Sequence, residues 1–157
     1  MAGAVLAGQR DFIANARLWQ RRMGGNLIQQ TPFVASSMMR FEHRLGLLEA
    51  CHQRALELAK GLGGLRGVRV HPAIPQTNML HLHFELAAEA VNDARDAIAE
   101  VEKWWLLGSA RPSDVPGWSY AELTVGDCLL KLDNTTVVQK FEQMLERARS
   151  TGAVVSK

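Results

Sequence analysis

Apolar side chains recur along most of this chain at spacings of three and four, broken by short stretches in which they alternate or run together. The run Gly3-Ala4-Val5-Leu6-Ala7-Gly8 reads as a buried-type strand closed by glycine. Strands of that kind sit inside parallel sheets, so the pattern predicts sheet neighbours upstream of residue 1. Phe12, Ala16, Trp19 and Met23 then mark one face of a helix that Gly24-Gly25-Asn26 ends, with Arg17, Arg21 and Arg22 off that face. Thr31-Pro32 opens the next helix, since a threonine can cap and a proline at the first helical position forfeits no hydrogen bond. Val34, Met38, Phe41, Leu45, Leu48, Cys51, Ala55, Leu58 and Leu62 keep the spacing nearly unbroken. Gly46 is the place for a kink or a split, and Gly61, Gly63 and Gly64 stop the run.

Beyond the glycines the period changes. Val68-Arg69-Val70 is a short strand, and Met79 to Phe84 alternates with Leu80, Leu82 and Phe84 on one face; Pro72 and Pro75 mark the loop between them. A helix is expected from about Ala87 to Lys103, with Val91, Ala94, Ile98 and Val101 inward. Trp104-Trp105-Leu106-Leu107 reads as a strand, Pro112, Pro116 and Gly117 as irregular chain, and Tyr120 to Val125 as another strand. Val137, Phe141, Met144 and Ala148 give a last helix after Asp133-Asn134, with a frayed tail from Ser150. The order predicts an α+β fold: a small antiparallel sheet with helices packed on one face.

Composition narrows the class without naming a chemistry. At 157 residues, 47% hydrophobic and 22% charged, the chain suits one domain with a real core and excludes a disordered, collagenous or disulfide-stapled protein. No apolar run approaches the ~20 residues that span a bilayer, and the N-terminus lacks the charged region of a secretory signal, so no membrane is expected and the default is cytoplasmic. Cys51 and Cys128 stand far apart in apolar stretches and read as reduced, buried thiols. A net charge of +2 from interleaved 18 basic and 16 acidic residues argues against nucleic acid, which asks for a clustered basic stripe.

Candidate chemistry is sparse. His81 and His83 share one strand face at a spacing that suits two metal ligands, but nothing nearby completes a set, so no metal is expected. His43 and His52, on a helix rich in Arg40, Arg44 and Arg54, read as surface residues. Trp104 and Trp105 point to opposite faces if in a strand, which favours packing over a stacking platform. Gly61-Leu62-Gly63-Gly64 has no preceding strand and no following Lys-Ser/Thr, so it reads as a helix end and not a phosphate loop. Met23, Met38 and Met39 read as core.

Two blocks carry a resemblance. Gly8-Gln9-Arg10-Asp11-Phe12-Ile13, then Trp19, then Arg21-Arg22-Met23-Gly24-Gly25-Asn26-Leu27-Ile28-Gln29, is similar to the segment that follows the cofactor lysine in the threonine aldolase and β-eliminating lyase family of pyridoxal-phosphate enzymes. Gln76-Thr77-Asn78-Met79-Leu80 resembles the threonine-asparagine strand of that family's C-terminal domain. The resemblance runs from about Ala2 to Ala148. It implies the small-domain fold of aspartate-aminotransferase-like enzymes and places the cofactor lysine ahead of the glycine matching Gly8, before Met1. Lys60, Lys103, Lys131, Lys140 and Lys157 all read as solvated surface lysines.

Residue by residue, the resemblance implies that Arg21 keeps a basic position near the cofactor phosphate or a neighbouring subunit's site, that Asn26 stands in the glycine-rich segment, and that Gln29 matches the family glutamine. Arg21, Asn26 and Gln29 are therefore the expected cofactor-binding residues, with no catalytic residue in the chain itself. Two departures follow. Ile28 occupies the place of an arginine that helps hold the substrate carboxylate, and isoleucine cannot make the paired bonds of a guanidinium. In the late strand, Glu122 faces the position of a second carboxylate-binding arginine, so either that register is off, Arg111 or Arg22 substitutes, or the substrate differs.

The expected organisation is thus a remnant of the large cofactor domain's last strand over 1–8, a helix and glycine-motif connection over 9–30, the small C-terminal domain over 31–150 and a tail over 151–157. The resemblance implies part of a homo-oligomeric, pyridoxal-phosphate-dependent lyase that cleaves Cα–Cβ of β-hydroxy amino acids, inactive alone without its lysine. The alternative is a non-catalytic α+β dimerisation or interaction domain.

Overall fold

The structure is a computed structural model and describes residues 5–155. Contacts along the chain gather into two compact units, Met1–Gly46 and Leu47–Lys157.

The first unit holds two helices, α1 (Arg10–Arg22) and α2 (Thr31–Leu45). Both stand where the three-and-four spacing puts them, yet neither contains a buried residue. Proline follows Thr31 in the first turn of α2; the cap position falls on Gln30, whose side chain makes no capping bond. The strand expected over 3–8 is not formed at residues 5–8, where the chain is irregular and Val5 and Leu6 are exposed; Gly3 and Ala4 lie outside the described residues. A strand exists only by pairing its backbone with a neighbour, and every paired strand among the described residues belongs to the second unit.

That second unit is the predicted α+β layer pair. It runs α3 (Leu48–Gly63), β1 (Val68–His71), β2 (Met79–Phe84), α4 (Ala88–Glu102), β3 (Arg111–Pro112), β4 (Ser119–Thr124), α5 (Asp127–Leu130) and α6 (Asn134–Val155). The four strands are ordered β1-β2-β4-β3 and every pairing is antiparallel. Val68 sits opposite Phe84 and Leu80 opposite Leu123, so the alternating residues of β1, β2 and β4 turn one apolar face inward. Against it lie Leu58 and Leu62 of α3, Val91 and Ile98 of α4, and Phe141 and Met144 of α6, all buried. Asp133 caps α6, its carboxylate accepting the Thr136 N–H at 2.9 Å. Gly46 does split the long apolar run, and the run's later half supplies the core face of α3.

Several expectations fail locally. Trp104 to Leu107 is a loop and not a strand, and pairs with none of the four strands. Just beyond it, side chains of α4 hold the chain: Arg95 donates to the Gly108 carbonyl at 2.8 Å, and Asn92 brackets Ala110 with bonds to its N–H at 2.9 Å and its carbonyl at 3.0 Å. Val101, expected inward, is 76% exposed, while the charged Arg95 is buried. Lys103 adopts a left-handed conformation, φ 62°, that ends α4 just beyond Val101 and turns the chain away. The last helix runs on to Val155 instead of fraying at Ser150. Cys51 is a buried thiol as expected, but Cys128, on the short α5, is exposed.

Candidate functional site

The segment joining α1 to α2 owes its shape to two glycines. Gly24 takes φ +75°, which favours a residue without Cβ, and its N–H donates to the Arg21 carbonyl at 3.1 Å. The Gly25 N–H reaches back to the Gln20 carbonyl at 2.8 Å. Together these two bonds form the paired helix-end arrangement that closes off the last free carbonyls. A Cβ on Gly25 would meet Gln20 Cγ at 2.9 Å and the Gln20 carbonyl oxygen at 3.1 Å, so the close approach belongs to glycine. The Gln20 side-chain amide adds a bond to the Gly25 carbonyl at 3.2 Å.

On this frame Arg21, Asn26 and Gln29 are all exposed. Arg22 leans over the Trp19 ring at 5.3 Å, whereas Arg21 makes no ion pair among the described residues and offers its full guanidinium to a ligand. Ile28 is 98% exposed and contributes no polar group. A cation and two amides on a short, glycine-fixed connection suit a phosphate or a carboxylate by charge and hydrogen bonding.

The second unit carries a separate polar surface on the outer face of its sheet. His71 pairs across from His81, His81 from Glu122, and His83 from both Arg69 and Tyr120. His83 stacks on Tyr120 with ring centres 5.9 Å apart, and Arg69 lies 4.5 Å over the Trp118 ring and 3.7 Å from Glu85. Partial burial, with His71 and His81 close by, holds the His83 imidazole below its ordinary pKa. No group of three metal-ligating side chains is assembled among the described residues. Glu122 is exposed on this face and accepts a bond from the Thr124 hydroxyl at 3.2 Å, so a carboxylate does stand on the outer side of β4. Arg111 is exposed on β3, opposite Tyr120.

The second sequence block is used structurally. Asn78 donates its amide to the Val125 carbonyl at 2.7 Å and accepts the Val125 N–H on its own carbonyl at 2.7 Å, clamping the start of β2 to the end of β4. The Thr77 hydroxyl accepts the Met79 N–H at 3.2 Å. His52, read as a surface residue, is half-buried, with Nε2 3.0 Å from the Pro75 carbonyl. Lys60 and Lys131 are exposed; Lys103 donates to the Glu100 carbonyl at 2.8 Å, and Lys140 pairs with Glu102 and Gln143, which together lower the Glu102 pKa. Lys157 lies outside the described residues. Sequence reasoning missed Arg95 and the Arg69–Trp118 stack; Arg95's place between Val91 and Ile98 at core spacing was the available signal.

The chain thus carries an antiparallel four-stranded sheet covered on one face by helices, preceded in sequence by a helix and a glycine-fixed connection. Residues 1–85 match the family model of the beta-eliminating lyases, and the chain belongs to that family. The family is in general pyridoxal-phosphate-dependent. Low-specificity L-threonine aldolase 1 of Arabidopsis thaliana is 31% identical over 83 residues, 53% of this chain and 23% of the plant protein. Two crystal structures share the fold. A protein from Exiguobacterium sp. 255-15, assigned as an aromatic amino acid beta-eliminating lyase/threonine aldolase, matches 90% of this chain with TM-score 0.75 and 30% identity. A Listeria monocytogenes protein assigned as an L-allo-threonine aldolase matches 90% with TM-score 0.74 and 28% identity. In each the matched part is 39% of the relative's chain, so this chain spans well under half the length of its relatives. No helix among the described residues is long and apolar enough to cross a membrane.

Proposed function

We propose that this chain is the C-terminal portion of a pyridoxal-phosphate-dependent lyase of the threonine aldolase type, acting on β-hydroxy amino acids at the Cα–Cβ bond. The match of residues 1–85 to the beta-eliminating lyases carries the reading. Support from the site is the glycine-fixed connection that leaves the Arg21 guanidinium exposed and unpaired among the described residues. In this reading Arg21 binds the cofactor's phosphate through charge-assisted hydrogen bonds, and the amides of Asn26 and Gln29 orient it. When bound, the cofactor supplies the electron sink for negative charge at the substrate's Cα.

The chain contributes binding and orientation and does not supply the lysine that holds the cofactor covalently. Lys103 and Lys140 are engaged with neighbouring side-chain or main-chain oxygens, and Lys60 and Lys131 are exposed. The chain alone is therefore inactive, and the working enzyme is a cytoplasmic homo-oligomer. The exposed apolar faces of α1 and α2 favour a second reading, a non-catalytic interaction domain.

The deciding experiment incubates the purified chain with pyridoxal phosphate and follows cofactor absorbance through dialysis, alone and after addition of the cofactor-domain portion of a relative. The expected result is loss of the absorbance from the chain alone, and aldehyde release from a β-hydroxy amino acid by the mixture only. Dialysis-stable absorbance on the chain alone would refute the missing lysine. A mixture without turnover would favour the interaction domain.

A further inference from the structure

The outer face of the sheet brings together three histidines that lie on two strands. His81 and His83 share that face of β2, while Leu80, Leu82 and Phe84 are buried on the other. His71, at the end of β1, stands directly opposite His81, and Glu122 of β4 stands opposite His81 on its other side. Partners in an antiparallel register share a face, so His71, His81 and Glu122 form one row, with His83 one step beyond it along β2. Opposed Cβ atoms lie about 4.5–5.5 Å apart and diagonal neighbours about 7–8 Å, spacings that imidazole rings can bridge to meet on one ion at about 2.0–2.1 Å per bond. As placed, the rings do not converge: no group of three ligating side chains is drawn together among the described residues. The backbone register is already in place, so closing the set asks for rotation about χ1 and χ2. His71 is exposed and His81 half-buried; His83, stacked on Tyr120, is the most restrained of the three.

Donor chemistry and charge choose the ion. Calcium and magnesium take oxygen ligands, whereas neutral imidazole suits zinc and its neighbours in the first transition row. Three imidazoles with one open position are a donor set that zinc uses in catalytic sites. Glu122 adds negative charge to the row, and its bond from the Thr124 hydroxyl is made through Oε1. Arg69, opposite His83 in the register, would repel a cation, but its guanidinium lies over Trp118 and beside Glu85, at the end of the face away from His71. We propose that His71, His81 and His83 bind a zinc ion on the outer face of the sheet, with water in the fourth position. The ion clips the edge strand β1 to β2 and sets a Lewis acid on a face whose side chains supply none. This site shares no residue with the proposed cofactor contacts Arg21, Asn26 and Gln29, so neither depends on the other.

The test titrates the full chain, without pyridoxal phosphate, with zinc chloride near neutral pH and reads binding by calorimetry. It is repeated on His71→Gln, His81→Gln and His83→Gln, and on His43→Gln as a control, since His43 is an exposed histidine of α2 in the other unit. Far-UV circular dichroism checks that each variant keeps its fold, as removal of a ring from the outer face should allow. Cobalt(II) in place of zinc gives the coordination number, because a four-coordinate site absorbs visible light far more strongly than six-coordinate aqueous cobalt. Wild type and His43→Gln bind one zinc ion, and cobalt gives the intense spectrum on both. Each of the three site variants binds at least about ten-fold more weakly and loses the cobalt band. Nuclear magnetic resonance of the wild-type histidine rings needs no variant: zinc shifts His71, His81 and His83 together and leaves His43 in place. Absence of zinc binding by wild type overturns the proposal, as does wild-type affinity in any one of the three site variants. Loss of binding in His43→Gln, a six-coordinate cobalt spectrum, ring shifts that miss any of the three histidines, or displacement of zinc by equimolar calcium or magnesium does the same.

Discussion

Arg95 ties the loop that follows α4 back to the helix. It is 6% exposed, ion-paired to Asp96 at 2.7 Å, bonded to Asn92 and the Gly108 carbonyl, and stacked 4.5 Å from the Trp105 ring. Its Asp96 partner is half exposed, so the value of the arrangement lies less in that pair than in the Gly108 carbonyl that Arg95 ties to α4. Removing it takes away that tie, while the Asn92 amide oxygen keeps the Ala110 N–H. Arg95→Ala should cost about 2–3 kcal/mol in urea unfolding and shift the Trp105 emission, while Arg95→Lys recovers only part, since an ammonium lacks the fork that spans both partners. Unchanged stability in both variants would show that the loop is held by Leu106 and Leu107 alone. Periodicity held the signal, since Arg95 stands four residues after Val91 and three before Ile98, but Ala94 is adjacent, and a reading that expects an apolar inward face takes the alanine and passes over the arginine. The glycine connection was legible for the opposite reason, because Gly24 at positive φ and Gly25 at close approach are demands that other residues meet poorly.

Helix contacts in the second unit put a different constraint on glycine. A Cβ on Gly61 of α3 would lie 2.7 Å from Val138 Cγ2 of α6, closer than real Cβ contacts come. Two opposed effects meet there. Alanine in a helix gains up to about 1 kcal/mol over glycine, while overpacking a close helix contact costs about 1–3 kcal/mol. Gly61→Ala should therefore destabilise by about 1 kcal/mol in the native background and stabilise by a similar amount once Val138→Ala has cleared the space. A double-mutant cycle in urea reads the sign change, and its absence would mean α3 and α6 move apart freely. The elements themselves were legible wherever a period ran long enough. The alternation of β2 gave its inward Leu80, Leu82 and Phe84, and the spacing of α6 gave Val137, Phe141, Met144 and Ala148, all buried. The failures share one cause. Residues 3–8 and 104–107 are apolar runs too short to show a period, and what an apolar run becomes depends on which backbone groups lie within reach. The four-residue α5 was invisible for the same lack of length.

Among the described residues every buried apolar side chain lies at Cys51 or beyond. A composition of 47% hydrophobic, averaged over 157 residues, implied one core fed by the whole chain. The average conceals that α1 and α2 hold as clear an apolar pattern as α3 and bury none of it. Sequence spacing states which residues want burial, and it does not state what covers them. Free energy of local opening should follow this division, because backbone hydrogen bonds are protected only as far as side-chain packing ties the element down. Short helices without such packing are marginal in water. Amide hydrogen exchange on the free chain should show α3, α4, α6 and the β2–β4 ladder protected together, with the amides of α1 and α2 exchanging orders of magnitude faster. Equal protection of α2 and α4 would mean that the apolar face of α2 is already covered in solution.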